Sequence, residues 1–239
     1  MIHSGYGKCV REISTRLQHY GHQVAVFATI GNKACPIFDW NGLRIYPGTD
    51  DIFGEDIVRQ HLKHWQADLL LTQIDIWPFR RLPDYAAAKD CVWIPYVPLD
   101  SFPVNDFFLN RLQPAYHIVA MCEWAEQQLK ALGLPHVSFI HHGVNASIYK
   151  PFPEKRRKEL KRLFGFPDNA FVIGMVQANQ LFRKAWEEQF RGVKAFANQH
   201  AEVRLLVHTI PQMGDAFDVP AMVADVGLKD ITRGADPYK

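Results

Sequence analysis

The sequence predicts an α/β protein built on parallel sheets, and three features of its 239 residues point there. Short, almost wholly apolar runs recur along the chain. Helical or turn-rich stretches separate them, and glycine or proline stands at many of the junctions. Near-continuous apolar strands that alternate with helices describe a parallel sheet covered on both faces. In such sheets functional groups gather at the carboxyl ends of the strands. With 48% hydrophobic residues the chain can bury a substantial core.

The elements follow in order. From Lys8 to Tyr20, the residues Val10, Ile13, Leu17 and Tyr20 recur at helical spacing, and Gly21 stands where that helix is expected to end. "QVAVFAT" at 23–29 then reads as a buried strand. Further strands are expected in "ADLLLTQI" at 67–74, "CVWIPYVPL" at 91–99, "AYHIVAMC" at 115–122 and "VSFIHH" at 137–142. Stretches such as "EWAEQQLKALGLP" separate them. A βαβ unit normally begins with a strand, whereas this sequence opens on a glycine turn and a helix. The first strand is therefore expected to be absent or reduced to Met1, Ile2 and His3.

After Pro151 the composition changes. "EKRRKELKRLFGFPDNAF" reads as a charged helix ending near Gly165, and "FVIGMV" as the strand that opens a new βαβ unit. A crossover helix from Lys184 to Gln199 leads to the strand "VRLLVHT" at 203–209, and "FDVPAMVADVGLKD" makes another helix. Two domains are expected, 1–150 and 151–239. Only two clear strands follow Pro151, fewer than the roughly five or six of a doubly wound sheet. The second domain is thus expected to be incomplete, with an open edge that invites self-association or a partner chain.

The net charge of +2 is too mild to argue for nucleic acid as a partner. Cysteines 9, 35, 91 and 122 are scattered and read as small buried hydrophobes in a reducing compartment, so a cytoplasmic location is expected. The sequence contains no run of about 18 apolar residues, the length that spans a bilayer, and the start lacks the pattern of a signal peptide.

The segment "SFIHHGVNASIYKPF" at 138–152 carries two histidines, a glycine and a closing proline. Neighbours on a strand point to opposite faces, so His141 and His142 do not bind one metal in the usual way. One is expected to be buried and the other to sit at the strand end, with a catalytic pair as the alternative. A hinge between two αβ units fits best, because a strand end, Gly143, the capping residue Asn145 and Pro151 follow one another.

"HHGVNASIYKPF" resembles the interdomain segment of GT-B glycosyltransferases of the large retaining family four. There a histidine-glycine-valine-aspartate stretch precedes a phenylalanine or tyrosine and a lysine-proline pair; Asn145 stands here where aspartate is usual. Three more stretches agree in order. "SGYGKCVREISTRLQHYGHQVAVFA" resembles the N-terminal glycine loop and first helix, and "ADLLLTQIDIWPF" a later strand and loop. "FVIGMVQANQLFRKAWEEQFRGVKAF" resembles the first strand and helix of the donor-binding domain.

The resemblance implies a GT-B-like, Rossmann-like first domain on the acceptor side and an incomplete Rossmann-like second domain on the donor side. It implies transfer of a sugar, with retention, from a nucleotide diphosphate sugar to a glycan, lipid or protein acceptor. The donor is a substrate, and neither a separate cofactor nor a metal is expected. Gly5 and Gly7, in a loop opening a helix N-terminus, suit a phosphate or sugar hydroxyl. Arg183 and Lys184 would hold the donor diphosphate, although Gln177 and Ala178 stand where the family's arginine is usual. Asn179 is grouped with them. His142, Gly143 and Asn145 would form the hinge and line the cleft.

Asp100, beyond a strand end and near Pro98 and Pro103, is the candidate catalytic carboxylate; Asp75 shares its strand-end logic. Trp77 and Phe79 would suit stacking on a sugar ring, but core packing is the more usual role of aromatic residues. "EKRRKELKRLF" carries six basic residues beside a stripe of Leu160, Leu163 and Phe164. It would suit peripheral contact with an anionic inner membrane surface or a lipid-linked acceptor, though a solvated linker helix is the preferred reading. His61 and His64 lie one helical turn apart without completing ligands and read as surface residues.

The family's pair of glutamates on the donor side would fall in the part expected to be missing. Two functions of different class follow: a glycosyltransferase, or a catalytically incomplete GT-B-like binding or assembly module completed by another chain. A flavodoxin- or Rossmann-type nucleotide-binding protein ranks last, since no GxGxxG is present.

Overall fold

The computed structural model describes residues 4–30, 33, 35–87, 92–180, 182–212, 214 and 216–235. The strand expected of Met1, Ile2 and His3 lies outside the described residues. The chain divides into two compact units, Met1–Val144 and Asn145–Lys239.

The first unit runs α1 (Gly5–His19), β1 (Ala25–Ala28), β2 (Phe38–Trp40), β3 (Leu43–Pro47), α2 (Val58–Trp65) and β4 (Leu69–Gln73). It continues with α3 (Leu82–Ala87), β5 (Val92–Val97), α4 (Asp106–Leu112), β6 (Ile118–Ala120), α5 (Glu123–Ala131) and β7 (Val137–Phe139). β4, β5, β6 and β7 form one parallel sheet in that order. β1, β3 and β2 form another, in which β1 is parallel to β3 and β2 antiparallel.

The β2–β3 hairpin departs from the all-parallel expectation, and its cause is local. Asn41 and Gly42 both adopt positive φ, as a two-residue hairpin turn requires. The larger sheet carries the core of this unit, in which Trp93, Ile118, Ala120 and Leu129 are buried among Ile76, Phe79 and Leu82. Burying each large apolar side chain contributes about 1.5–3 kcal/mol.

α1 starts earlier than the sequence suggests. Ser4 is its N-cap and accepts the Gly7 N–H at 3.0 Å, so Gly5 and Gly7 belong to the first helical turn and not to a preceding loop. Val10 on the apolar stripe then packs on Val26, Leu43 and Ile45.

The second unit comprises α6 (Glu154–Leu163), β8 (Phe171–Val176), α7 (Trp186–Ala197), β9 (Val203–His208), α8 (Val219–Asp225) and β10 (Thr232–Ala235). Its sheet has the order β10-β9-β8, all parallel. Three strands stand where two were expected. β10, "TRGA", is short and almost without apolar residues, so the apolar-run criterion does not register it. Trp186, Phe190, Leu205 and Leu228 are fully buried between sheet and helices.

α6 buries none of its residues, and Leu163 is 76% exposed, which removes it from any packed stripe. Part of its positive charge is already engaged, in Lys158–Glu154, Arg156–Glu159 and Arg162–Asp168 pairs. Between β7 and α6, Asn145 closes a turn and not a helix. Its carbonyl accepts the N–H groups of Ile148 and Tyr149 at 3.0 and 2.9 Å, and its Oδ1 those of the Ser147 backbone and hydroxyl.

Candidate functional site

In the first unit the carboxyl ends of β5, β6 and β7 bring a polar cluster together. His142, three residues beyond β7, has Nδ1 3.4 Å from Cys9 Sγ on α1 and Nε2 2.9 Å from Met121 Sδ after β6. Its ring lies 5.3 Å from that of Tyr96, at the end of β5. The Tyr96 hydroxyl donates to the Ile140 carbonyl at 2.9 Å. Burial pushes the Tyr96 pKa above the ordinary tyrosine value, and the neighbouring Cys9 pushes it further the same way.

His141 meets the Phe139 ring edge-on at 5.1 Å. Both histidines are exposed, so neither is the buried member that the sequence suggested; the chain has left β7 before reaching them. Gly143 is exposed as well.

Asp100 is exposed just beyond β5, and Asp75 is half-buried just beyond β4. Of the two aromatic candidates, Trp77 is 53% exposed and edge-on to Phe53. Phe79 is 5% exposed and packs edge-on against Trp93, which makes it core and not a sugar platform. His61 is likewise not a free surface residue. Its Nε2 lies 3.0 Å from the Pro47 carbonyl, and its ring packs on Phe27 and Tyr46. His64 Nδ1 meets the Tyr46 hydroxyl at 2.7 Å.

In the second unit the carboxyl ends of β8 and β9 form a second polar site. Asn179 is 3% exposed and faces inward, its Nδ2 donating to the carbonyls of Phe217 (2.7 Å), Ile210 (3.2 Å) and Pro211 (3.4 Å). The loop after β8 is thereby pinned to the loop after β9. Beside it, Asn179 Oδ1, Gln177 Nε2 and Thr209 Oγ1 are buried without a partner among the described residues, as is Trp186 Nε1 at the start of α7.

Arg183 and Lys184 follow in a 3-10 turn at Phe182–Lys184, ahead of α7 and not within it. Arg183 is exposed and its guanidinium engages Gln180 Oε1. Lys184 is half-buried, and its carbonyl accepts from Gln189 Nε2 at 2.5 Å.

The structure thus gathers His142 with residues the sequence reading did not single out, namely Cys9, Tyr96 and Met121. It places Asn179, through its bond to the Ile210 carbonyl, beside Thr209, which the strand-end rule points to at the close of "VRLLVHT"; Arg183 and Lys184 follow Asn179 along the chain. Gly5, Gly7 and Asp100 belong to the first unit, and Asn145 begins the second. Among the described residues no group of three or more His, Cys, Asp or Glu side chains is arranged to hold a metal ion. No helix among them is long and apolar enough to cross a membrane.

No protein-family model and no curated protein matches the chain. Solved structures do. A glycosyltransferase from Rickettsia africae ESF-5 is similar with a TM-score of 0.70 and 12% identity, over 99% of this chain and 65% of that one. HepE of Anabaena, solved in complex with UDP and glucose, is similar with a TM-score of 0.63 and 15% identity, over 98% of this chain and 66% of that one. A trehalose-6-phosphate structure from E. coli bound with UDP-2-fluoro glucose gives 0.64 and 12%, over 100% of this chain and 72% of that one. The chain spans about two thirds of the length of these solved chains. The likeness shows the fold: a GT-B-type, Rossmann-like α/β architecture, as the ordered motifs led us to expect.

Proposed function

We propose that this chain, whose fold is that of the GT-B glycosyltransferases, handles the nucleotide sugar in a sugar transfer that retains anomeric configuration. The observation that carries this reading is the polar floor at the carboxyl ends of β8 and β9. Buried polar atoms almost always find partners, yet Gln177 Nε2, Asn179 Oδ1 and Thr209 Oγ1 have none among the described residues. Two cations, Arg183 and Lys184, follow in the same loop. Hydroxyls of a nucleotide ribose can donate to Asn179 Oδ1, and diphosphate oxygens can accept from Gln177 Nε2 and the cations. The UDP and UDP-sugar complexes of similar structures support a uridine diphosphate donor as the first to try.

In this reading Lys184 and Arg183 neutralise the charge that develops on the diphosphate as the sugar leaves. Arg183 exchanges its exposed contact with Gln180 for the phosphate, and a pairing at the surface is easily given up. Asp100 orients the acceptor hydroxyl and takes its proton in the transfer. The acceptor is a glycan, lipid or protein hydroxyl.

Isothermal titration of the folded chain with UDP and a panel of nucleotide diphosphate sugars tests the reading. Lys184→Ala leaves the backbone carbonyl that Gln189 uses, so the turn is kept while the ammonium is removed. The expected result is binding by the parent chain that weakens about tenfold or more in the variant, which is about 1.4 kcal/mol. A folded chain that binds no member of the panel, or binds it equally in the variant, overturns the assignment.

A further inference from the structure

We infer that Cys9 is a covalent modification site, a thiol that His142 activates as general base toward soft electrophiles, hydroperoxides included. The inference rests on the first unit alone and does not depend on the sugar-transfer reading.

The protonation pattern follows from the atoms present. A thioether sulfur carries no hydrogen and can only accept, so the contact between His142 Nε2 and Met121 Sδ at 2.9 Å is a hydrogen bond only when Nε2 bears the proton. Nδ1 then presents its lone pair to Cys9 Sγ, 3.4 Å away, and the thiol is the donor. A nucleophile, a base within reach and a third group that orients the base are the parts an activated cysteine needs. The Tyr96 ring backs the imidazole at 5.3 Å, and the bond from its hydroxyl to the Ile140 carbonyl fixes that ring in place. Cys9 is half-buried and His142 exposed, so a small reagent can reach the pair.

The other described cysteines lack these parts. Cys122 is half-buried and packs against the core of the larger sheet. Cys35 is exposed, with no imidazole contact among the described residues. Accessibility alone ranks Cys35 as the most reactive; the geometry ranks Cys9 first.

With hydrogen peroxide, Cys9 Sγ attacks one oxygen as the O–O bond breaks and an S–O bond forms. The thiol proton passes to His142 Nδ1 and then to the departing hydroxide, which leaves as water. The thiol is oxidised by two electrons to the sulfenic acid and the peroxide is reduced. With iodoacetamide an S–C bond forms, iodide leaves, and the proton passes through Nδ1 to solvent.

The experiment is peptide-resolved mass spectrometry of the native chain. One arm uses limiting iodoacetamide, and the other uses hydrogen peroxide followed by a sulfenic-acid trap. Cys9 is expected to react about tenfold faster than Cys35, in keeping with thiol reactivity being set by microenvironment. His142→Gln, which keeps a polar side chain but cannot take the proton, is expected to remove that advantage. Met121→Leu, which frees the imidazole to change tautomer, is expected to lower it in part while Cys35 is unchanged. Cys35 reacting faster than Cys9, or a Cys9 rate untouched by His142→Gln in a sample with the parent circular dichroism, overturns the assignment. Should that variant fail to fold, the Cys9-to-Cys35 ratio in the parent chain and in Met121→Leu decides.

Discussion

The Glu55 carboxylate caps the backbone at Leu82, with Oε1 accepting the Leu82 N–H at 2.9 Å. Its two oxygens also take the Arg80 N–H, at 2.8 and 2.9 Å, and Oε1 takes that of Arg81 at 2.9 Å. A residue between β3 and α2 thus satisfies the amides at the start of α3, which have no intrahelical partner, and places negative charge where the helix dipole favours it.

Glu55 is only 6% exposed, so its removal strands those donors away from water. Glu55→Ala is expected to cost the first unit about 3 kcal/mol, while Glu55→Gln, which retains one acceptor oxygen, costs about half as much. Urea unfolding of the three proteins measures both. A cost below about 1 kcal/mol for the alanine variant would show that the amides find other partners.

Gly54 gives a second expectation, one residue earlier. Its φ is +70°, and a Cβ built there runs into the Phe27 ring at the end of β1. Gly54→Ala therefore combines left-handed backbone strain of about 1–2 kcal/mol with overpacking of about 1–3 kcal/mol. The two parts separate in a double-mutant cycle with Phe27→Ala, since truncating the ring relieves only the clash. The glycine substitution is expected to cost at least about 1 kcal/mol less in the truncated background. Equal costs would mean that the backbone conformation alone demands glycine.

How much of this the sequence carried depends on what each feature needs. β1 and β4–β9 stand out as apolar runs, as strands of a covered parallel sheet do, although β4 and β8 end their sheets and leave Leu69, Leu71, Phe171 and Val176 exposed. β10 does not, being a short strand with almost no apolar residues. The hairpin turn is encoded locally, as Asn41-Gly42 within "FDWNGLRIYP", a signal independent of the alternation of strands and helices that marks the parallel units.

At the candidate sites the strand-end rule points to Asp75 and Asp100, which need only a local pattern. Cys9 with His142 are 133 positions apart, and Glu55 with Leu82 are 27 apart. No local spacing encodes such pairs. Only the topology, which brings α1 beside the end of β7, makes a cysteine and a histidine into one group.

Asn179 is the pin of the second site, and the chemistry of its amide makes a sharp comparison. Its NH2 group is shared among three carbonyls. Asn179→Ala removes that donor and is expected to cost about 1–3 kcal/mol. Asn179→Asp is expected to cost more, because an ionised carboxylate only accepts and would face three other acceptors. Thermal unfolding followed by tryptophan fluorescence, to which Trp186, buried in the same unit, contributes, reads the order of stability. An aspartate variant as stable as the parent would show that the loop after β9 is held by something else.

Tyr96 carries the last expectation, a dependence on pH. Burial of its hydroxyl, and then the nearby Cys9, hold its pKa above the ordinary value of about 10. The folded chain therefore keeps this proton more tightly than the unfolded chain does. The resulting stabilisation is full below the unfolded value of about 10 and is lost as the pH rises through the higher folded one. A difference titration of tyrosinate absorbance between the parent and Tyr96→Phe should show the missing ionisation above that of free tyrosine. Cys9→Ser should move the step downward without bringing it to the free value, because burial is the larger cause. A Tyr96 that ionises in the folded chain at or below about 10 would mean that its hydroxyl is not buried beside Cys9 as the fold places it. The ring would then be free to move, and the imidazole of His142 would lose the support that fixes it beside Cys9.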